Sequence, residues 1–129
     1  MLFKTGSAIL PPEADDALQI IKQYLDDKTY ISLMRIESNV NIYGNNTRDQ
    51  KFSEQRAKTV YTKLVSLGVD CKKLIATAFG NTKPVADHST TEGKSANTNI
   101  KFINAALRGH LIGGIPADGG GMTVVTDCN

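Results

Sequence analysis

The sequence predicts an α/β domain in which two main helices pack on one mixed four-stranded sheet, in the order β-α-β-α-β-β. Two long segments carry apolar residues at helical spacing, and short β-rich segments precede and follow them. Glycine or proline stands at several boundaries between these segments. The chain has 129 residues, of which 40% are hydrophobic, so one domain is long enough to bury its own core.

The first half of the chain contains two predicted strands and one helix. Residues 2–10 are predicted to form a short strand that leaves through Gly6. Pro11 and Pro12 then begin a helix, because proline is tolerated in a first turn. Residues 30–37 are β-rich and mostly apolar, which is typical of an interior strand. Four apolar residues at helical spacing predict the buried face of this helix: Ala14, Leu18, Ile21 and Leu25.

The second half begins with the longest predicted helix, over residues 46–67. Asn45 or Asn46 is a suitable N-cap, because a short polar side chain can accept a hydrogen bond from a first-turn amide. Gly68 is a natural residue to end the helix. The remaining predictions are a strand over residues 74–79, a polar loop over 81–96 and a final strand over 99–103.

The composition changes after the final predicted strand. Residues 105–129 are rich in glycine and contain few candidate core residues, so they are predicted to be a tail or linker that follows a domain of residues 1–104. The two cysteines, Cys71 and Cys128, could form a disulfide in an oxidising compartment or remain two free thiols.

Composition and charge argue against several classes of function. A net charge of +2, with basic and acidic residues interleaved, does not favour nucleic-acid binding. No apolar run is long enough to span a membrane, and Met1 leads directly into sequence typical of a folded domain. We therefore expect any export signal or anchor to lie outside this chain. His88 and His110 have no further metal ligands at suitable spacing, so we expect no metal. The sequence contains no glycine-rich phosphate loop and no G-x-S-x-G motif, so we also expect no cofactor and no enzymatic activity.

Arg56 has an unusual position in its helix. At about 100° per residue it lies between Phe52 and Val60, within the apolar stripe. Either its stem covers the core while its head reaches the edge, or the guanidinium meets an anion. Asp49 lies two turns earlier at nearly the same angle. The pair would suit a ligand that carries both charges.

Three stretches of the chain carry a family resemblance: FKTGSA at 3–8, LPPEA at 10–14 and FSEQRAKTV at 52–60. They resemble the OmpA-like (OmpA/MotB/Pal) domain, whose helix motif LSxxRAxxV is similar to the third stretch. Further similarities follow in the family's order: LGV at 67–69, FG at 79–80, Pro84, Glu92 and Asn97. The resemblance covers residues 2–104. It implies non-covalent binding to peptidoglycan, by the diaminopimelate residue of the stem peptide.

The resemblance also implies which residues bind. Arg56 corresponds to the arginine that binds the diaminopimelate carboxylate, while Asn41 stands at the position of the family's aspartate. Asp49 stands where the family usually has asparagine. We hypothesise that the charge has moved from position 41 to 49 and that Asp49 completes the pair with Arg56. The remaining residues expected at the pocket are Val40, Gly44, Phe52 and Ser53.

A second departure concerns Thr98 and Asn99, which stand in place of two family arginines. The resemblance implies a periplasmic protein attached to the outer membrane, with peptidoglycan and a membrane-anchored remainder or envelope partner as its partners. The alternative is the same fold with a degenerate wall pocket, acting as a protein-interaction or scaffold domain in an envelope secretion or motility assembly.

Overall fold

The computed structural model describes residues 3, 4, 6–43, 45–82, 86, 89–112, 121–124 and 128. Within these residues the chain forms three α-helices, a short 3-10 turn at Cys71–Lys73 and five β-strands. The helices are α1 (Ala14–Asp27), α2 (Asn46–Ser66) and α3 (Thr91–Ala96). The strands are β1 (Ile31–Asn39), β2 (Leu74–Gly80), β3 (Asn99–Leu107), β4 (His110–Leu111) and β5 (Met122–Thr123).

The strands form one mixed sheet in the order β4-β3-β1-β2-β5. The central strands β1 and β2 are parallel, while β3 pairs antiparallel with β1, and β5 pairs antiparallel with β2. The α2 helix connects the parallel pair and packs against both of its strands. The predicted class, helices packed on a mixed sheet, is confirmed, but the described residues contain five strands and three helices rather than four and two.

The prediction of a strand over residues 2–10 is wrong for the residues of that range that the structure describes. The backbone turns at Lys4, whose carbonyl oxygen accepts the amide of Ser7 at 3.0 Å. The carbonyl oxygens of Lys4, Ser7 and Ala8 accept hydrogen bonds from side chains of α2 rather than from a neighbouring strand. This segment therefore lies on α2 and does not join the sheet.

The two short edge strands and α3 were not predicted. Residues 105–107, which the sequence assigns to the tail, continue β3, while β4 and β5 lie at opposite edges of the sheet. With six residues, α3 is too short to show a helical repeat in the sequence. Its N-cap is Thr90, whose side chain accepts the amide of Gly93 at 2.9 Å.

The core lies between the sheet and the two long helices. The apolar face predicted for α1 is confirmed, since Ala14, Leu18 and Leu25 are buried. Asn45 caps α2, because its side chain accepts the amide of Arg48 at 3.0 Å. Fully buried apolar residues of this core cluster include Leu18, Ile31, Ile36, Val60 and Leu64. Burial of each such side chain stabilises the fold by about 1.5–3 kcal/mol.

The cysteine question is settled by a disulfide between Cys71 and Cys128, whose Cα atoms are 5.7 Å apart. The bond links residues 57 positions apart in the sequence. Closing a loop of this length stabilises the fold by about 4 kcal/mol in the chain-entropy treatment. No helix in the part of the chain that the structure describes is long and apolar enough to cross a membrane.

Candidate functional site

The candidate site lies where β1 ends. The amide of Val40 donates to the carbonyl oxygen of Gly80 at 2.9 Å, which keeps the ends of β1 and β2 together. The next amide, that of Asn41, donates to Oγ1 of Thr98 at 3.0 Å. The same hydroxyl donates to the carbonyl oxygen of Lys94 at 2.9 Å. Thr98 thus holds the end of β1 against α3.

A cavity of ≈ 380 Å³ opens at this junction and contains two of the predicted site residues, Asn41 and Arg56. Cavities that hold small ligands in proteins measure roughly 300–1,000 Å³. The residues that line the cavity come from the segment after β1, from α2, from α3 and from the segment after α3: Asn41, Ile42, Arg56, Thr91, Lys94, Ser95 and Thr98.

The side chain of Asn41 is buried but incompletely hydrogen-bonded. Its exposed fraction is 2%, and its Nδ2 atom has no hydrogen-bond partner among the residues that the structure describes. An unpaired buried amide costs about 1–3 kcal/mol, so an acceptor that enters the cavity would recover this loss.

Arg56 is fully enclosed rather than placed at the edge of α2. Its exposed fraction is 2%, and its guanidinium lies 4.8 Å from the ring centroids of both Phe3 and Phe52. Nε donates to the carbonyl oxygen of Ser7 at 3.0 Å, and Nη2 donates to that of Lys4 at 3.1 Å. The orientation of the guanidinium is therefore determined by two rings and two carbonyl groups.

The charge of Arg56 has no carboxylate partner in the described part of the chain. Desolvation by burial lowers the pKa of Arg56, and the electrostatic effect of Tyr43 opposes this shift. An arginine nevertheless remains protonated in proteins. A buried cation that is stabilised only by carbonyl dipoles and aromatic faces is a natural place for an anion to bind.

Asp49 does not line this cavity. It is fully buried, and its Oδ1 accepts the amides of Ile42 at 3.2 Å and Tyr43 at 3.0 Å. Its Oδ2 accepts a hydrogen bond from Nδ2 of Asn81 at 2.9 Å. The helical repeat places Asp49 and Arg56 on one side of α2, but the carboxylate is used to hold the backbone after β1. The structure therefore does not bring Asp49 to the cavity with Arg56.

The other predicted site residues that the structure describes do not line the cavity. Ser53 is fully buried, donates to the carbonyl oxygen of Gln50 at 2.9 Å and accepts the amide of Gly80 at 3.0 Å. Phe52 lies against Arg56 and also meets the ring of Tyr43 edge-on, with the centroids 5.8 Å apart. Val40 is fully buried. Gly44 lies outside the described residues, as does His88.

Lys94 was missed by the sequence reasoning, and Thr98 was noted there only as the loss of an arginine. Both belong to α3 or the residues after it, in a segment predicted to be loop. Thr90, a suitable N-cap residue, with Glu92 in the first turn is a signal that could have revealed this helix. Among the described residues, no group of three or more histidine, cysteine, aspartate or glutamate side chains could hold a metal ion.

Comparison with known proteins shows the family of the chain. The sequence model of the OmpA family matches residues 2–98. The chain is 33% identical over 103 residues to the outer-membrane lipoprotein YfiB of Pseudomonas aeruginosa, covering 80% of this chain and 61% of YfiB. It is 28% identical over 109 residues to the probable lipoprotein YiaD of Escherichia coli, covering 81% of this chain and 48% of YiaD. The chain thus spans less than two thirds of the length of these curated relatives.

A solved structure shows the same fold. The peptidoglycan-associated lipoprotein from Burkholderia pseudomallei superimposes with a TM-score of 0.70 at 24% sequence identity, over 79% of this chain and 86% of that chain. Both proteins therefore share the arrangement of helices on a mixed sheet. The family match extends over three quarters of the length of this chain, and the chain therefore belongs to the OmpA family.

Proposed function

We propose that this domain binds peptidoglycan non-covalently, through the diaminopimelate residue of the stem peptide, and so anchors an envelope protein to the cell wall. The observation that carries the proposal is that Arg56, a buried cation with no carboxylate partner among the described residues, lines one cavity with Asn41 and its unpaired amide. The name of the similar Burkholderia protein, a peptidoglycan-associated lipoprotein, supports it.

The chemistry of the proposed contact follows from Arg56. Nε and one hydrogen of Nη2 already donate to backbone carbonyl groups, which leaves both hydrogens of Nη1 and the second hydrogen of Nη2 for a ligand carboxylate. A hydrogen bond between a guanidinium and a carboxylate is about twice as strong as one between neutral groups. The Nδ2 atom of Asn41 can donate a second hydrogen bond to the same ligand. The proposed activity of the site is binding, with no enzymatic step.

The disulfide supports a periplasmic location. Disulfides persist in oxidising compartments such as the bacterial periplasm and are rare in the cytosol. The curated relatives are named as lipoproteins, and the name of one places it at the outer membrane. We therefore propose attachment to the outer membrane by a part of the protein beyond the residues described here.

A scaffold role without wall binding is the second candidate. It is favoured by the backbone carbonyls of Lys4 and Ser7, which already satisfy two nitrogen atoms of Arg56. Asn41 also carries no charge to attract an ammonium group. In that role the same fold would contact another envelope protein, and its cavity would not be used.

Co-sedimentation with purified peptidoglycan sacculi separates the two candidates. We expect the wild-type protein to pellet with sacculi and Arg56→Lys to bind at least about tenfold more weakly, because lysine lacks the planar fork. Lys51→Ala, which removes an exposed cation from the same helix, should bind as the wild type does. Absence of wild-type binding by a folded protein would exclude the wall-binding proposal and leave the scaffold role.

A further inference from the structure

The polar groups that line the cavity are mainly hydrogen-bond donors. Arg56 and Lys94 carry positive charge, and the Nδ2 atom of Asn41 is a buried donor without a partner in the described part of the chain. Thr98 already uses its hydroxyl hydrogen on the carbonyl oxygen of Lys94. Among the described residues that line the cavity there is no aspartate or glutamate.

This balance of charge is a poor match for an ammonium group. An ammonium in the cavity would face two cations, Arg56 and Lys94, and like charges disfavour each other most where water is excluded. The nearest buried carboxylate of α2, that of Asp49, already accepts three hydrogen bonds from the protein. A carboxylate would instead meet two cations and an amide donor.

Building on the proposed wall binding, we infer that this domain recognises the stem peptide by its carboxylates alone, with Arg56 and Asn41 binding one and Lys94 attracting a second. The ligand class is a dicarboxylate held within a peptide, and the side-chain ammonium of diaminopimelate contributes little. Asn41 and Lys94 are then the residues that determine specificity. Because Lys94 is half-buried, its charge is less screened by solvent than that of a fully exposed lysine.

Calorimetric titration with three peptides tests the inference. The probes are L-alanyl-γ-D-glutamyl-meso-diaminopimelate, the same peptide with its side-chain amine acetylated, and the same peptide with its side-chain carboxyl amidated. We expect acetylation to change Kd by less than about threefold and amidation to weaken binding by about tenfold or more, the difference between a charged and a neutral hydrogen-bond acceptor. An equal or larger loss on acetylation would overturn the inference.

Two variants sharpen the test. Asn41→Asp should make binding dependent on the ammonium, so that acetylation now weakens it by about tenfold, because a carboxylate would stand in the cavity. Lys94→Gln should weaken binding of the unmodified peptide and reduce its dependence on salt, whereas the matched Lys51→Gln should do neither. Unchanged affinity in Lys94→Gln, with the fold intact by circular dichroism, would show that Lys94 does not contribute to binding.

Free pimelate separates this inference from the wall-binding proposal. If sacculi do not bind but pimelate binds and loses affinity in Lys94→Gln, the dicarboxylate site stands and wall binding fails. If the unmodified peptide binds and only the amine is essential, wall binding stands and the carboxylate inference fails. If neither pimelate nor any peptide binds, both fail.

Discussion

Nε of Arg56 donates to the carbonyl oxygen of Ser7 at 3.0 Å, which joins the middle of α2 to a segment 49 residues earlier. This contact explains two features together. First, the segment before α1 does not form a strand, because its carbonyl oxygens accept hydrogen bonds from side chains of α2. Second, the buried guanidinium is held in one orientation beside the cavity. One residue therefore belongs both to the fold and to the candidate site.

Arg56→Met should lower the free energy of unfolding by about 1–3 kcal/mol, because the carbonyl oxygens of Ser7 and Lys4 would lose their donors. Urea denaturation measures the loss. Hydrogen exchange should show faster exchange at the amide of Ser7, with β2 unaffected. Unchanged exchange at Ser7 would mean that Arg56 does not hold this segment.

Asp49→Ala should destabilise the protein by about 1–3 kcal/mol, since three donors to its carboxylate would lose their acceptor. Asp16→Ala removes an exposed carboxylate from α1 and serves as the control. Double-variant analysis with Arg56→Met adds a second test. The losses in unfolding free energy should be nearly additive, because Asp49 bonds the backbone and Asn81 rather than the guanidinium. Strong coupling would instead indicate a direct interaction between Asp49 and Arg56.

Thr98→Val keeps the shape of the side chain but removes the hydroxyl that links Asn41 to Lys94. We expect a loss of about 1–3 kcal/mol in unfolding free energy, because a buried amide would lose its acceptor. Thermal denaturation against Thr62→Val, at an exposed position of α2, measures it. Equal melting temperatures for the two variants would show that the hydroxyl bridge does not contribute.

Gly80→Ala should be more destabilising than Gly109→Ala. Both glycines have positive φ, +56° and +83°, so alanine is strained at either position. At Gly80 the new Cβ would also lie 2.9 Å from Oε1 and 3.1 Å from Cα of Gln50, whereas nothing lies within 4 Å at Gly109. The difference between the two melting temperatures isolates this steric term, and equal values would show that α2 shifts freely.

Reduction of the Cys71–Cys128 disulfide should lower the unfolding free energy by about 4 kcal/mol. Cys71→Ser should have the same stability with and without reductant, which makes it the matched control. Because β5 is a two-residue strand that ends five residues before Cys128, its amides should exchange faster after reduction. A melting temperature that does not respond to reductant would show that the bond adds no stability.

The fold was predictable where local patterns are long. The α1 and α2 helices extend over 14 and 21 residues, enough for several turns of an apolar repeat. The β1 and β2 strands contain the β-rich, mostly apolar stretches at residues 30–37 and 74–79. The short elements were not predictable, because β4 and β5 have two residues each and exist only through pairing with β3 and β2. The disulfide, too, depends on the approach of two residues 57 positions apart, which no local pattern contains.

The candidate site, like the fold, was predictable from the sequence only in part. Sequence alone determined that Arg56 lies in an apolar helix face, and that asparagine stands at position 41 within a recognisable family pattern. Only the tertiary structure decided that Phe3 and Phe52 enclose Arg56, and that the carboxylate of Asp49 accepts a backbone amide after β1. It also decided that Lys94 lines the cavity. The physical reason is that helical repeats set the direction of a side chain, whereas its hydrogen-bond partners come from segments distant in the chain.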